Sequence, residues 1–368
     1  MRPARFGVSP LVKILRRIAS CIVSLFATAI FGGCASMPDA DEYLAYPVLL
    51  DPPNGGATAR DDRARFREIF CQVAQRENFA GADPNCEQFL WRLPDEAELE
   101  KTSTELPNLD TSLHIVVVGG AFSDCFGAAS VAYGAAIKRL ELKGVTTTVV
   151  PISGRSSAEF NARIIAESLH SASIDPEQRI VLLGYSKGTV DILHFLNGYP
   201  DLAPQVQAVI SVSGAIFGSA VADQGAWAYD TLLKNTFKKR CDPGDHGVVD
   251  SMKTEVRRAW LEQHEMPGHI RFYTIAAFTT RDHLARGLRS SWRILARTNR
   301  RNDGQVTISD ALFPGSTLLG YANADHWGVA IDIEQELDFI AGRPDDHPFP
   351  RSVLFEAYLR YVSEDLGE

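Results

Sequence analysis

Three side chains in this sequence have the types and surroundings that acyl chemistry needs. Ser186 sits in "GYSKG", behind the apolar run "RIVLLG" and ahead of "TVDILHFL". A serine between two glycines, where a strand turns abruptly into a helix, is held in a strained backbone with its hydroxyl exposed. The following helix then aims its N-terminal dipole at any anion that forms there. A plain tight turn would also use glycines, and the G-x-S-x-G pattern arises by chance in on the order of one chain in ten of this length. Its placement between strand and helix is therefore the informative part. A serine hydroxyl is a weak nucleophile near neutral pH, so it needs a base, and the base needs an orienting group. His326 in "STLLGYANADHWGVA" follows the last strand-like run and is the candidate base; a surface imidazole is the alternative. Asp303 in "RNDGQV" is the candidate acid, 23 residues before His326, although Asn-Asp-Gly is also a common turn. Asp282 in "TTRDH" is the runner-up, and Asp310 and Asp325 are weaker candidates.

The elements that must carry these residues can be read from the hydrophobic pattern. "LHIVVVGG", "VTTTVVPIS", "RIVLLG", "VQAVISVSG", "IRFYTIAAF" and "STLLGYA" are short apolar or β-branched runs, and most are separated by helical patterns. Such alternation implies an α/β architecture, a mostly parallel sheet with helices on both faces. Residues 61–101 read as helical, with "ARFREIFCQVAQREN" at helical spacing and "CEQFLWRLPDEAELEK" after it. This predicts an N-terminal helical extension outside the sheet, joined to it by the polar linker "TSTELPNLDTS". Residues 215–268 contain no strand pattern. Seven arginines occur in "RDHLARGLRSSWRILARTNRR", where Arg286, Arg289, Arg293, Arg297 and Arg300 recur at helical spacing. That face is read as solvated, with anionic lipid headgroups as the other reading. Lys187 can pair with Asp191 four residues on.

The chain order Ser186, Asp303, His326 and the stretches "VVVGGAF", "GYSKG", "NDGQV" and "DHWG" resemble the α/β-hydrolases, and among them the bacterial lipases and esterases. Gly119 departs from those lipases, which carry histidine there. The resemblance implies a serine hydrolase that cleaves carboxylic esters through an acyl-enzyme, on an ester or lipid substrate and with no metal or organic cofactor. It implies an oxyanion hole from the backbone N–H groups of Lys187 and Ala121, and a helical cap inserted at about 215–268. Phe217, Trp227, Tyr229, Leu232, Leu233 and Phe237 in that interval would line an acyl pocket or pack on the domain. An acyltransferase or amidase would use the same parts, and a non-catalytic envelope lipoprotein with a hydrolase fold is a further alternative.

The first residues carry a different message. Arg2, Arg5, Lys13, Arg16 and Arg17 precede "IASCIVSLFATAIFGG", 16 residues without a charge, and then Cys34. A basic start, an apolar core and small residues at the end predict an export signal over 1–33. "FGGC" resembles the lipobox of bacterial lipoproteins, which implies a lipidated Cys34, a membrane anchor and a location in the bacterial cell envelope. A tether over 34–60, the extension and linker over 61–112 and a hydrolase domain over 113–368 complete the expected organisation. Without the five cations of its first segment the chain has 32 basic against 46 acidic residues, net −14, a balance that repels nucleic acid. Cys71, Cys86, Cys125 and Cys241 then form an even set for an oxidising compartment. Pairing 71 with 86 and 125 with 241 is preferred among three connectivities.

Overall fold

The computed structural model describes residues 39–48, 50–77, 86–99, 105–125, 127–225, 242–332, 342 and 349–367. The expected signal segment and Cys34 lie outside them. The described helices are α1 (Ala40–Leu44), α2 (Arg63–Arg76), α3 (Gly134–Glu141), α4 (Ala158–Ser171), α5 (Lys187–Gly198), α6 (Thr254–Gln263), α7 (Arg289–Leu295) and α8 (Arg351–Gly367). The strands are β1 (Arg60–Asp61), β2 (Leu113–Val118), β3 (Thr146–Val149), β4 (Arg179–Tyr185), β5 (Val206–Val212), β6 (Arg271–Phe278) and β7 (Thr317–Asn323). They form one sheet in the order β1-β7-β6-β5-β4-β2-β3, with every neighbouring pair parallel. This is the α/β-hydrolase architecture.

Why the strands read as continuous apolar runs is visible in the packing. Ile115, Val117, Val181 and Leu183 pack in the layer of α2, α3 and α8, whereas Val116, Val118 and Leu182 pack with α4 and α5. Alternate residues of one strand thus enter opposite cores, so neither set can be polar. The carboxyl ends of these strands all open to one edge, where a doubly covered parallel sheet places its loops.

Several expectations are corrected. The segment after Asp62 is helical, but it is not an extension outside the sheet. Phe66, Ile69, Phe70 and Val73 of α2 are fully buried in the largest core cluster, beside Tyr358 and Tyr361 of α8. Arg60 and Asp61 just before it add β1 to the edge of β7, in register with Thr317 and Leu318. Two charged residues give no strand pattern; a free sheet edge recruits them. Residues 86–99 form a short 3₁₀ turn, Cys86–Phe89, and then run irregularly through Pro94. Trp91 is pinned there by its backbone N–H to Tyr321 O (2.8 Å) and its indole N–H to Phe278 O (2.8 Å).

The tether is shorter than expected. Tyr43, in the interval expected to be a tether, is 2% exposed and packs edge-on against Trp91 and Phe278, which stack on each other, its hydroxyl donating to Thr279 O. The arginine-rich segment is not one long helix either. α7 ends at Leu295, Arg300 pairs with Glu42, and Arg301 donates to the carbonyls of Tyr43, Tyr46 and Pro47. Its last two cations therefore hold the N-terminal segment rather than a lipid surface. In the expected cap, Phe217 is buried with Leu193, Ile216 and Phe313, while Trp227, Tyr229, Leu232, Leu233 and Phe237 lie outside the described residues. Cys71 and Cys86 are disulfide-bonded, with Cα atoms 5.3 Å apart. Cys125 is also in a disulfide, and Cys241 lies outside the described residues. Among the described residues no helix is long and apolar enough to cross a membrane.

Candidate active site

Ser186 occupies the turn between β4 and α5 with φ 57° and ψ −126°, a conformation that costs a non-glycine residue energy and needs its surroundings to enforce it. The surroundings do so. Ser186 N–H donates to Val212 O (2.9 Å), and Thr189 Oγ1 donates to Gly184 O (2.8 Å). The two flanking glycines are needed for space. A Cβ on Gly184 would stand 2.5 Å from Thr189 Cα, and one on Gly188 would stand 2.2 Å from Val118 O and 2.4 Å from Gly119 O. Strand, turn and helix are thus pressed against the end of β2.

His326 lies in the loop after β7 and reaches back across two strands. Its Nε2 is 2.8 Å from Ser186 Oγ, and its Nδ1 is 2.7 Å from Asp303 Oδ2. The backbone helps: His326 N–H donates to Asp303 O (2.9 Å), and Tyr185 OH donates to His326 O (2.7 Å). Ser186, His326 and Asp303 are all buried, Asp303 to 1% exposure, so their mutual contacts are little screened.

The Asn-Asp-Gly turn divides its labour. Asn302 Oδ1 accepts the Gly304 N–H (3.0 Å), Gly304 takes φ +94°, and Asp303 Oδ1 accepts the N–H groups of Gln305 (2.8 Å) and Val306 (2.7 Å). One carboxylate oxygen is fixed by the turn, and the other is left for the imidazole. The other carboxylates are elsewhere. Asp282 is exposed to solvent. Asp325 accepts from Ala285 N–H and Gly328 N–H, each at 2.7 Å, and shapes the histidine loop. Asp310 bonds Thr307, and its burial raises its pKa.

Two backbone N–H groups are the candidate oxyanion donors. Lys187 is the first residue of α5, where the helix offers its N–H no acceptor. The loop after β2 supplies the second candidate. A Cβ at Gly120 would lie 3.0 Å from Ser186 Cβ, so this loop touches the serine. Of its amides, Phe122 N–H goes to Gly154 O and Ser123 N–H to Gly120 O, and Ala121 precedes both. A cavity of about 180 Å³ lies behind this loop, walled by Gly119, Ser123, Val131, Val150 and Ile152.

Sequence reasoning missed the fate of the Lys187 side chain. The expected pair with Asp191 is present, but both residues are wholly buried, with Nζ and Oδ1 2.5 Å apart. The i, i+4 spacing gave the partner; burial beneath a catalytic-type turn has no local signature. Among the described residues no group of three His, Cys, Asp or Glu side chains is disposed to hold a metal ion.

Comparison with known proteins adds a second line. A solved metagenomic carboxyl esterase, MGS0156, is similar at 34% identity and a TM-score of 0.75, over 88% of this chain and 98% of that one. The mature Bacillus licheniformis lipase BlEst2 is similar at 21% identity and a TM-score of 0.47, over 64% of this chain and 92% of that one. Lipase 1 from Pelosinus fermentans is similar at 11% identity and a TM-score of 0.48, over 69% of this chain and 99% of that one. No family model matches the sequence, and no curated protein matches it.

Proposed function

Since the chain belongs to the carboxyl esterases of the α/β-hydrolase fold, we propose that it cleaves carboxylic esters through an acyl-enzyme on Ser186. The observation that carries this reading is the meeting of Ser186, His326 and Asp303, residues from three distant segments, at 2.8 and 2.7 Å. His326 Nε2 removes the Ser186 proton as Oγ attacks the ester carbonyl. Asp303 holds the Nδ1–H tautomer and stabilises the imidazolium that results. The negative charge on the carbonyl oxygen is met by the N–H groups of Lys187 and Ala121. The imidazolium then protonates the leaving alcohol. A water, deprotonated by the same Nε2, releases the acid and restores Ser186.

The proposed setting is the cell envelope, with Cys34 carrying lipid. Ester or lipid substrates near a membrane suit that placement.

Turnover of p-nitrophenyl acetate through decanoate tests the reading, together with labelling by a fluorophosphonate. Wild type is expected to hydrolyse at least one ester of the series and to take up the probe, and Ser186→Ala to do neither. Equal, background turnover in both proteins would overturn it.

A further inference from the structure

Below Ser186 runs a chain of buried polar contacts that the proposed chemistry does not use directly. Its first link is Lys187 Nζ to Asp191 Oδ1. Asp191 Oδ2 accepts from Asn161 Nδ2 (2.8 Å), which reaches in from α4. Asn161 spends its remaining capacity on one backbone residue: its Oδ1 accepts Ser153 N–H (3.0 Å) and its Nδ2 donates to Ser153 O (3.1 Å). The next residue, Gly154, grips the loop after β2 from both sides. Its carbonyl accepts Phe122 N–H (2.8 Å) and its N–H donates to Asp124 Oδ1 (3.1 Å). The approach is so close that a Cβ on Gly154 would meet Phe122 N at 2.6 Å.

The chain thus begins at the residue that offers one oxyanion amide, Lys187, and ends one residue from the other, Ala121. Lys187, Asp191 and Asn161 are all buried to 0% exposure. Burying an ion pair is costly, and well-packed apolar residues of similar volume are often as stable or more so. Stability therefore does not account for charges here. Burial pushes the Asp191 carboxyl up to about 6, against the pull of Lys187, Asn161 and Arg257.

We propose that the Lys187 side chain, Asp191 and Asn161 are positioning residues that fix the spacing of the two oxyanion-binding amides. The inference rests on the esterase reading above and deepens it. A misplaced amide weakens binding of the tetrahedral intermediate while leaving the ground-state ester almost untouched.

The test pairs Asn161→Ala with the apolar double variant K187M/D191L, measured beside wild type on the best p-nitrophenyl ester. Both are expected to lose about 10- to 100-fold in kcat with KM unchanged, less than or equal to the loss of a whole oxyanion donor. Inhibition by an acyl trifluoromethyl ketone, which forms a tetrahedral oxyanion on the serine, is expected to weaken by the same factor. K187M/D191L keeps volume in the core, so it reports even where Asn161→Ala does not fold. Folded variants with wild-type kcat and wild-type ketone inhibition would overturn the positioning role, as would losses confined to KM or to the melting temperature. Absence of any Ser186-dependent turnover in wild type is the separate result that sinks the esterase reading and the inference with it.

Discussion

The two layers that cover the sheet carry their polar groups in different ways. On one side, α2 and α8 close over β7 with aromatic packing at the centre and ion pairs at the rim. Two pairs are buried there, Arg67 with Glu96 and Arg360 with Glu356, whose other donors go to the carbonyls of Leu90, Trp91 and Pro107. At the rim the pairs are more open. Arg60 with Asp365, Arg65 with Glu364 and Arg271 with Asp365 join segments far apart in sequence, and most of these side chains keep some access to water. On the other side, α4 and α5 bury Lys187, Asp191 and Asn161 completely, and the contacts end on active-site backbone. Partly solvated pairs at a rim cost little and return little. Dry ones are expensive, and those of α4 and α5 converge on the loops of the candidate site. The contrast indicates that one layer supplies stability and the other supplies geometry, so the two should be separable by mutation.

The sharpest separation comes from Asp303→Asn. The side chain stays the same size and the turn bonds to Oδ1 can persist, but the imidazole loses its partner; kcat is expected to fall about 10⁴-fold with little change in melting temperature. Thermal melts and steady-state kinetics on one preparation check this, and a loss below about tenfold would break the assignment. The converse change is Phe66→Ala in the stabilising layer. Phe66 is fully buried and stacks on Tyr358 at 5.5 Å. Its truncation is expected to cost about 3–5 kcal/mol in chemical denaturation, with kcat of the folded fraction preserved. A large kcat change would blur the division between layers.

Next in size is the Cys71–Cys86 disulfide, which closes a 15-residue separation in the same layer. Replacing both cysteines by serine is expected to lower stability by about 3 kcal/mol, again without a catalytic effect. A smaller, pH-dependent effect is expected on the other side, at His194. Its burial, with Arg257 donating to Nε2 at 2.9 Å, drives its pKa from 6.5 down to about 3. Because the unfolded chain takes up a proton that the folded one refuses, stability is complete above pH 6.5 and falls as pH drops from there toward 3. At pH 5.5 the loss is about 1.4 kcal/mol. His194→Gln keeps an acceptor for Arg257 and should flatten that part of a stability–pH curve; an unchanged slope would contradict the buried neutral imidazole. The smallest effect belongs to the rim. Arg65→Ala is expected to cost no more than about 1 kcal/mol, and a markedly larger loss would show that the rim pairs contribute more than the contrast allows.

Much of the site was legible because its signals are local. The glycines around Ser186 answer to clashes with residues adjacent in the chain or in the next strand, so the motif reports its own geometry. Asn302-Asp303-Gly304 is likewise a turn whose three residues do three separate jobs within one loop. β2 and β4 to β7 showed as apolar runs because both faces of the sheet are covered there, and the edge strand β3 showed only as the β-branched stretch TTTV. What escaped the sequence is what depends on a distant partner. Arg60 and Asp61 become a strand only because β7 has a free edge, and Tyr43 is buried only because the stacked rings of Trp91 and Phe278 offer it an apolar surface. Arg300 looked like the end of a helix face until the N-terminal segment supplied it and its neighbour Arg301 with acceptors.

By itself the sequence determined the α/β alternation, the strained serine between its glycines, the acid in its turn and the histidine after the last strand. These follow from steric and hydrophobic rules that act over a few neighbouring residues. The tertiary structure decided that the three side chains lie within hydrogen-bond reach, that Asp303 rather than Asp282 faces the imidazole, and that Lys187 points into the core. Those outcomes depend on which strand ends share an edge and which surfaces exclude water, and no short stretch of chain contains that information.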